Sequence, residues 1–128
     1  GPVHGVRYRK PDVVAVGGGV TRGASCGYGT GITSARAAVL SGDPCVVPPR
    51  YVRMSGTSMA TPHVAGICAL LIEAMGSRGT AHARAGRVRR AILASAREID
   101  VGDPNAVGAG LVDAAAALAY LQRVRTAA

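Results

Sequence analysis

The sequence predicts an α/β chain, and three stretches carry that expectation. Val13-Val14-Ala15-Val16 is an uninterrupted apolar run rich in β-branched residues, bounded by Pro11-Asp12 and by Gly17-Gly18-Gly19. Such a run reads as a strand buried on both faces, as in a parallel sheet. Val64 to Met75 is the longest apolar segment and is apolar nearly all round, which predicts a helix in the middle of a domain. Just before it, a turn at Gly56 puts Ser58 where that helix should start.

The bulk composition sets limits on the core. A length of 128 residues suits one domain or part of one, and 48% of the residues are hydrophobic. There is no Phe and no Trp, so small aliphatic residues must fill the core. They bury less area each than aromatics do, so an independent core of this length is thin.

The formal net charge is +8, from fourteen Arg and one Lys against seven acids. A basic surface attracts phosphate, and Arg84, Arg87, Arg89, Arg90 and Arg97 form the best candidate patch. The chain offers no aromatic stacking platform, no zinc-ligand spacing and no long basic run. A solvated helix face therefore accounts for the patch better than a nucleic-acid footprint. The Cys at 26, 45 and 68 lack metal-ligand spacing; Cys68 falls inside the apolar helix, and Cys26 and Cys45 are either free or joined. Gly1 to Lys10 has no apolar signal-peptide core, and no run of 18 or more apolar residues suggests a membrane span.

The elements follow in order. After the strand at 13–16, residues 20–49 show no sustained period and read as a long loop, with one helical turn near Ser34 to Leu40. Arg50 to Ser55 reads as a short strand, residues 56–75 as a turn and buried helix, and Gly76 as its stop. Val88, Ile92 and Ala96 stand at helical spacing among the arginines, which predicts an amphipathic surface helix over 84–96. Asp103-Pro104-Asn105 is a turn, and Asp113 opens an Ala-rich helix over 113–125 as an N-terminal stabiliser.

A hydroxyl at a helix N-terminus suits a nucleophile, because unpaired N–H groups and the positive end of the helix dipole stabilise a neighbouring oxyanion. It also suits an ordinary N-cap. His63 looks like a partner base for Ser58, but a spacing of five residues turns them about 140° apart around a helix. His63 is therefore read as structural, and His82 as solvated.

Residues 56–66, GTSMATPHVAG, resemble the nucleophile motif of the subtilisin-like serine peptidases. Lys10 to Gly18 is similar to that family's K-P-D-V-x-A-P-G strand and turn, with Val16 in place of the Pro. Gly108 to Leu118 is similar to its closing G-x-G-x-V-[DN]-A-x-x-A segment. The resemblance implies that residues 1–128 are the C-terminal part of a peptidase domain, an incomplete portion of a three-layer α/β/α fold with a mainly parallel sheet. It implies a serine endopeptidase with Ser58 as nucleophile, its backbone N–H forming part of the oxyanion hole, and Met59 beside it. It makes His63 a helix residue of the motif and not the triad base.

The family's triad Asp, triad His and oxyanion Asn lie in motifs upstream of the K-P-D strand, and these motifs are absent here; His4 before Gly5 matches the H-G-T motif only faintly. The isolated chain is expected to be inactive unless a second chain or an N-terminal segment supplies them. The alternative is a non-catalytic remnant or a protein-binding module of the same fold. The implied partner is a peptide or protein substrate. No cofactor or metal is expected from these residues, although calcium is common in the family. A secreted or extracytoplasmic location is the family habit.

Overall fold

The computed structural model describes residues 10–19, 30–37, 45–77, 79–101 and 103–126. The chain divides into two compact units, residues 16–63 and residues 1–15 with 64–128.

In the first unit, β1 (Ile32–Ala35), β2 (Val46–Val47) and β3 (Tyr51–Met54) form an antiparallel sheet in the order β1-β3-β2. β2 and β3 make a hairpin, since Val46 pairs with Val52 and Val47 with Tyr51 across Pro48-Pro49-Arg50. Proline has no N–H to give a ladder, so pairing stops there and the chain reverses. β1 joins the other side of β3, with Ile32 opposite Met54 and Ala35 opposite Tyr51. The ladder extends one pair further, Arg36 N–H donating to the Arg50 carbonyl at 2.8 Å. Alternation puts Ile32, Ser34, Val52 and Met54 on one face and Thr33 and Arg53 on the other, where Arg53 Nε donates to Thr33 Oγ1 at 3.4 Å. Val52 is buried.

Two expectations change here. The long loop read over 20–49 contains β1 and β2, and Ser34 and Ala35 are in a strand and not a helical turn; 38–40 lie outside the described residues. β1 is too short to display a period, and its partner stands far along the sequence. The α/β class stands, but the three-stranded sheet is antiparallel. β2 and β3 pair through a tight local reversal, whereas parallel pairing needs a crossover of a dozen or more residues. Parallel pairing among the described residues is one bridge, described next.

The second unit contains that bridge. The strand expected over 13–16 contracts to Val14, whose N–H donates to the Gly110 carbonyl and whose own carbonyl accepts from Val112 N–H, both at 2.9 Å. Leu111 is also paired antiparallel with Arg97 through two 2.8 Å bonds. The approach is so close that a Cβ on Gly108 (φ 60°) would overlap the Pro11 and Asp12 carbonyls, and one on Gly110 (φ 114°) the Arg97 carbonyl. Only glycine meets both demands.

Helix α1 (Thr57–Met75) ends at Gly76, at φ 63°, which donates its N–H to the Glu73 carbonyl at 2.9 Å. Helix α2 (Ala81–Ser95) begins earlier than the spacing predicts because Thr80 caps it, its Oγ1 accepting from Ala83 N–H at 3.2 Å. The expected turn at 103–105 is the start of a single helical turn, α3 (Pro104–Val107), with Asp103 Oδ1 accepting from Asn105 N–H at 2.8 Å. Asp113 caps α4 (Ala114–Thr126) in the same way, its Oδ1 accepting from Ala116 N–H at 2.9 Å.

The core joins Leu71, Val88, Ala91, Ile92 and Ala117, flanked by half-buried Ile67, Cys68, Met75, Val112 and Leu121. Asp12 binds Lys10 and, at 3.0 Å, Arg89, which ties the 10–14 segment to α2.

The expectation that α1 is buried all round fails among the described residues. Ile67, Leu71 and Met75, four residues apart, pack into the core as one stripe, while Leu70 and Ile72 are 61% and 45% exposed. Helices α2 and α4 supply apolar partners for that stripe only. α1 also has the length and mean hydropathy of a membrane-crossing helix, by composition alone.

Candidate active site

The site is built within residues 16–63. β3 delivers Ser55 and Gly56, and the Gly17-Gly18-Gly19 turn buttresses them. Gly56 N–H donates to the Gly17 carbonyl at 2.7 Å, and Ser55 Oγ donates to the Gly19 carbonyl at 2.8 Å. Gly56 has φ 149°, which side chains rarely adopt, and a Cβ on Gly17 would lie 2.6 Å from the Gly56 oxygen. The two backbones touch directly, so both positions need glycine.

The Gly56 carbonyl then starts α1 by accepting from Met59 N–H at 3.0 Å and Ala60 N–H at 3.2 Å. An α-helix leaves its first four N–H groups without intrahelical carbonyl partners. Here Gly56 engages two of them, and among the described residues the N–H groups of Thr57 and Ser58 have no acceptor. Ser58 therefore combines an exposed hydroxyl, no side-chain hydrogen bond among the described residues, and its own unspent N–H at the positive end of a 19-residue helix. Pro62 sits inside α1, so its missing N–H leaves the Ser58 carbonyl without the usual i+4 donor.

A cleft of about 370 Å³ opens beside Ser58. Its walls are Ile32, Thr33, Ser34, Val52 and Met54 of the sheet, with Met59, Pro62 and His63 of α1. Met59, the residue after Ser58 in α1, lines the same cleft. Ser58 and His63 border the same cleft, but no hydrogen bond joins them among the described residues. His63 Nδ1 instead lies 2.9 Å from the Met59 carbonyl, which can only accept, so that contact makes Nδ1 the protonated nitrogen. No carboxylate orients His63 within the described part of this unit. The geometry thus presents an exposed hydroxyl beside an N–H with no acceptor among the described residues, and a histidine turned back on its own helix.

Among the described residues, the walls of this cleft include none of the remaining sequence candidates. His82 is exposed on α2. Among the described residues no group of acidic, His and Cys side chains could hold a metal. Cys68 is free and Cys45 is disulfide-bonded; Cys26 and His4 lie outside the described residues. A second cleft of about 340 Å³, between 98 and 110, carries Glu98, Asp100 and Asp103 and no nucleophile. Sequence reasoning missed the wall supplied by β1, because nothing in the aperiodic 20–49 stretch marks it. The glycine run at 17–19 was the available signal for the buttress.

Fold and site together place the chain in a class: it belongs to the Subtilase family, whose model matches residues 2–110. Among individual proteins, it is similar to Tripeptidyl-peptidase 2 of Drosophila melanogaster, 39% identical over 72 residues. That match takes in 56% of this chain and 5% of the relative's length.

Proposed function

We propose that Ser58 is the nucleophile of a serine-type endopeptidase and that the working site is completed by residues this chain does not contain. The observation that carries the reading is the helix start: an exposed hydroxyl with an uncommitted N–H beside it, opening on a cleft. In the completed enzyme Ser58 Oγ attacks the peptide carbonyl, a His from outside the chain takes its proton, and the Ser58 N–H supports the oxyanion. Water then releases the acyl group. An Asp orients that His, and an Asn supplies a second oxyanion donor. Peptide or protein is the substrate, and a second chain or an N-terminal segment is the complementing partner.

Magnitude makes the isolated chain inactive. In a subtilisin, loss of the nucleophile or the base alone lowers kcat about 10⁶-fold, roughly as much as loss of the whole triad. His63 offers no substitute in this reading, since among the described residues no hydrogen bond joins it to Ser58 and five residues turn the two about 140° apart around α1. No cofactor enters the reading; calcium would belong to the completed domain. α1 serves as a core helix and not a membrane span, because Leu71 is packed into the core and Ser58 and His63 line a cleft. The location is secreted or extracytoplasmic. Nucleic-acid binding is the weaker reading of the arginines, since Arg89 is spent on Asp12 and Arg84 on the Gly79 carbonyl.

The second reading is a non-catalytic remnant or binding module, favoured by the absence of a carboxylate near His63 among the described residues of its unit. The test is labelling by a fluorophosphonate probe, with Ser58→Ala as control, on the 128-residue chain and on the longest natural form. Ser58-dependent labelling of the longer form alone supports the proposal. Absence of labelling in both, with the chains folded, favours the remnant. Product analysis on a long blocked peptide separates internal cleavage from release of tripeptides, the mode that the Drosophila relative's name describes.

A further inference from the structure

We infer that Ser55 is a positioning residue for Ser58, acting through the Gly17-Gly18-Gly19 turn, which rests on the peptidase reading above. Two bonds fasten the chain to that turn just before α1 starts. Gly56 N–H donates to the Gly17 carbonyl at 2.7 Å, and Ser55 Oγ donates to the Gly19 carbonyl at 2.8 Å. One bond alone would act as a pivot. Two bonds, from adjacent residues to carbonyls two residues apart, fix the direction in which Gly56 leaves the turn as well as its distance from it. That direction is passed on, because the Gly56 carbonyl accepts from Met59 N–H and Ala60 N–H and so sets the first turn of α1, on which Ser58 stands. Of the two bonds, only the one from Ser55 is made by a side chain, so a substitution removes it and leaves the backbone bond in place.

The hydroxyl is closely confined. Ser55 is half-buried, and a Cβ on Gly18 (φ 79°) would lie 2.6 Å from its Oγ. The same added atom would lie 3.1 Å from the Thr30 carbonyl oxygen and from the Gly31 Cα, so the bare Gly18 backbone is held between Ser55 and the residues leading into β1. Gly19 N–H in turn donates to the Thr30 carbonyl at 3.1 Å. Contacts thus run without a break from the start of β1, a wall of the cleft, through the glycine turn and Ser55 to the helix start. Ser55 itself is not among the described residues that wall the cleft, so it affects the reaction by placement and not by touching substrate. Loss of its hydroxyl leaves Gly56 free to swing about the one remaining bond.

The experiment follows the rate of fluorophosphonate labelling against probe concentration, on the longest natural form, for the parent, Ser55→Ala and Ser55→Thr. A misplacement near 1 Å costs a reacting group about 10²-fold, so a swing of about half that lowers the rate about tenfold. The loss is expected in the rate constant at saturating probe, with the half-saturating concentration unchanged, and Ser55→Thr should restore the parental rate. Ser95→Ala is the control, since it removes a half-buried hydroxyl-to-carbonyl bond of the same kind, 2.7 Å to Ala91, in the other unit. It should leave the rate constant as it was. A purely structural role for Ser55 lowers the fraction of protein labelled and not the rate of the folded molecules. On the 128-residue chain, the Ser58 amide resonance should move in Ser55→Ala and return in Ser55→Thr. A saturating rate that Ser55→Ala leaves unchanged, one that Ser95→Ala lowers equally, or an unmoved Ser58 resonance overturns the assignment. Should Ser55→Ala not fold, Ser55→Thr and Ser55→Val, alike in shape, isolate the hydroxyl, and equal rates in those two overturn it as well. Where the parent itself does not label, the nucleophile reading fails and the amide decides alone: movement with rescue by Thr keeps Ser55 as the residue that sets this helix start, and no movement sinks it.

Discussion

Replacing Gly17 by Ala should disturb the start of α1 without touching Ser58. The new Cβ would stand 2.6 Å from the Gly56 oxygen and 3.4 Å from the Ala60 Cβ. A carbon and a carbonyl oxygen settle at about 3.3 Å, so the two backbones must separate by roughly 0.7 Å. The displaced atom is the carbonyl that accepts from Met59 and Ala60, and Gly56 also donates to Gly17 itself, so three hydrogen bonds share the shift. Overpacking of this kind costs about 1 to 3 kcal/mol. Placement suffers as well, since a misplacement near 1 Å costs a reacting group about 10²-fold.

Gly66→Ala supplies the contrast. Gly66 lies within α1, and a methyl group added there would meet nothing within 4 Å, so Ala should stabilise the helix by about 0.5 to 1 kcal/mol. The assay is urea unfolding of both variants, with the Ser58 amide resonance followed by NMR. Opposite signs of stability change, with the Ser58 resonance moved only by Gly17→Ala, are expected. Equal stability changes, or an unmoved Ser58 resonance in Gly17→Ala, would refute the buttress.

Two further outcomes follow from named contacts. Asp12 is held below the usual carboxylate range, first by the hydrogen bond from Lys10; burial, next in size, opposes it, and the Lys10 charge and Arg89 add to the lowering. A lowered folded pKa means that its contribution is complete above the unfolded value of about 3.9 and is lost as pH falls through the folded value. Because the Arg89 and Asp12 side chains are 67% and 35% exposed, screening keeps the effect small. Asp12→Asn should therefore flatten the acid limb of the unfolding midpoint against pH, and an unchanged limb would argue against the pair. Peroxide should slow fluorophosphonate labelling of whichever form reacts, because oxidised Met59 is larger and polar beside Ser58. Met59→Ala should remove that sensitivity, and equal labelling before and after peroxide in the parent would count against the placement.

Much of the turn from Gly56 into α1 was legible from residue order. Gly56, Ser58 and the apolar run to Met75 specify a tight turn into a helix whose first N–H groups lack intrahelical carbonyl partners, a consequence of helix geometry alone. Asp113 as a helix starter and Gly76 as a helix stop are local in the same sense, since cap and capped group lie within three residues. The cleft was not legible. Its far wall is β1, whose partner Met54 is distant in sequence from Ile32, and four residues carry too little pattern to reveal either the strand or its register.

By itself, then, the sequence determined which hydroxyl stands at a helix start and that His63 stands about 140° from it around the axis, both consequences of spacing along one helix. Tertiary structure decided that Ser58 and His63 nonetheless border one cleft, and that Gly17 must be glycine because Gly56 lies against it. It also decided which stripe of an evenly apolar α1 is covered. An all-round apolar pattern carries no preference among faces, so only the placement of Val88, Ile92 and Ala117 could choose Leu71 and leave Leu70 exposed.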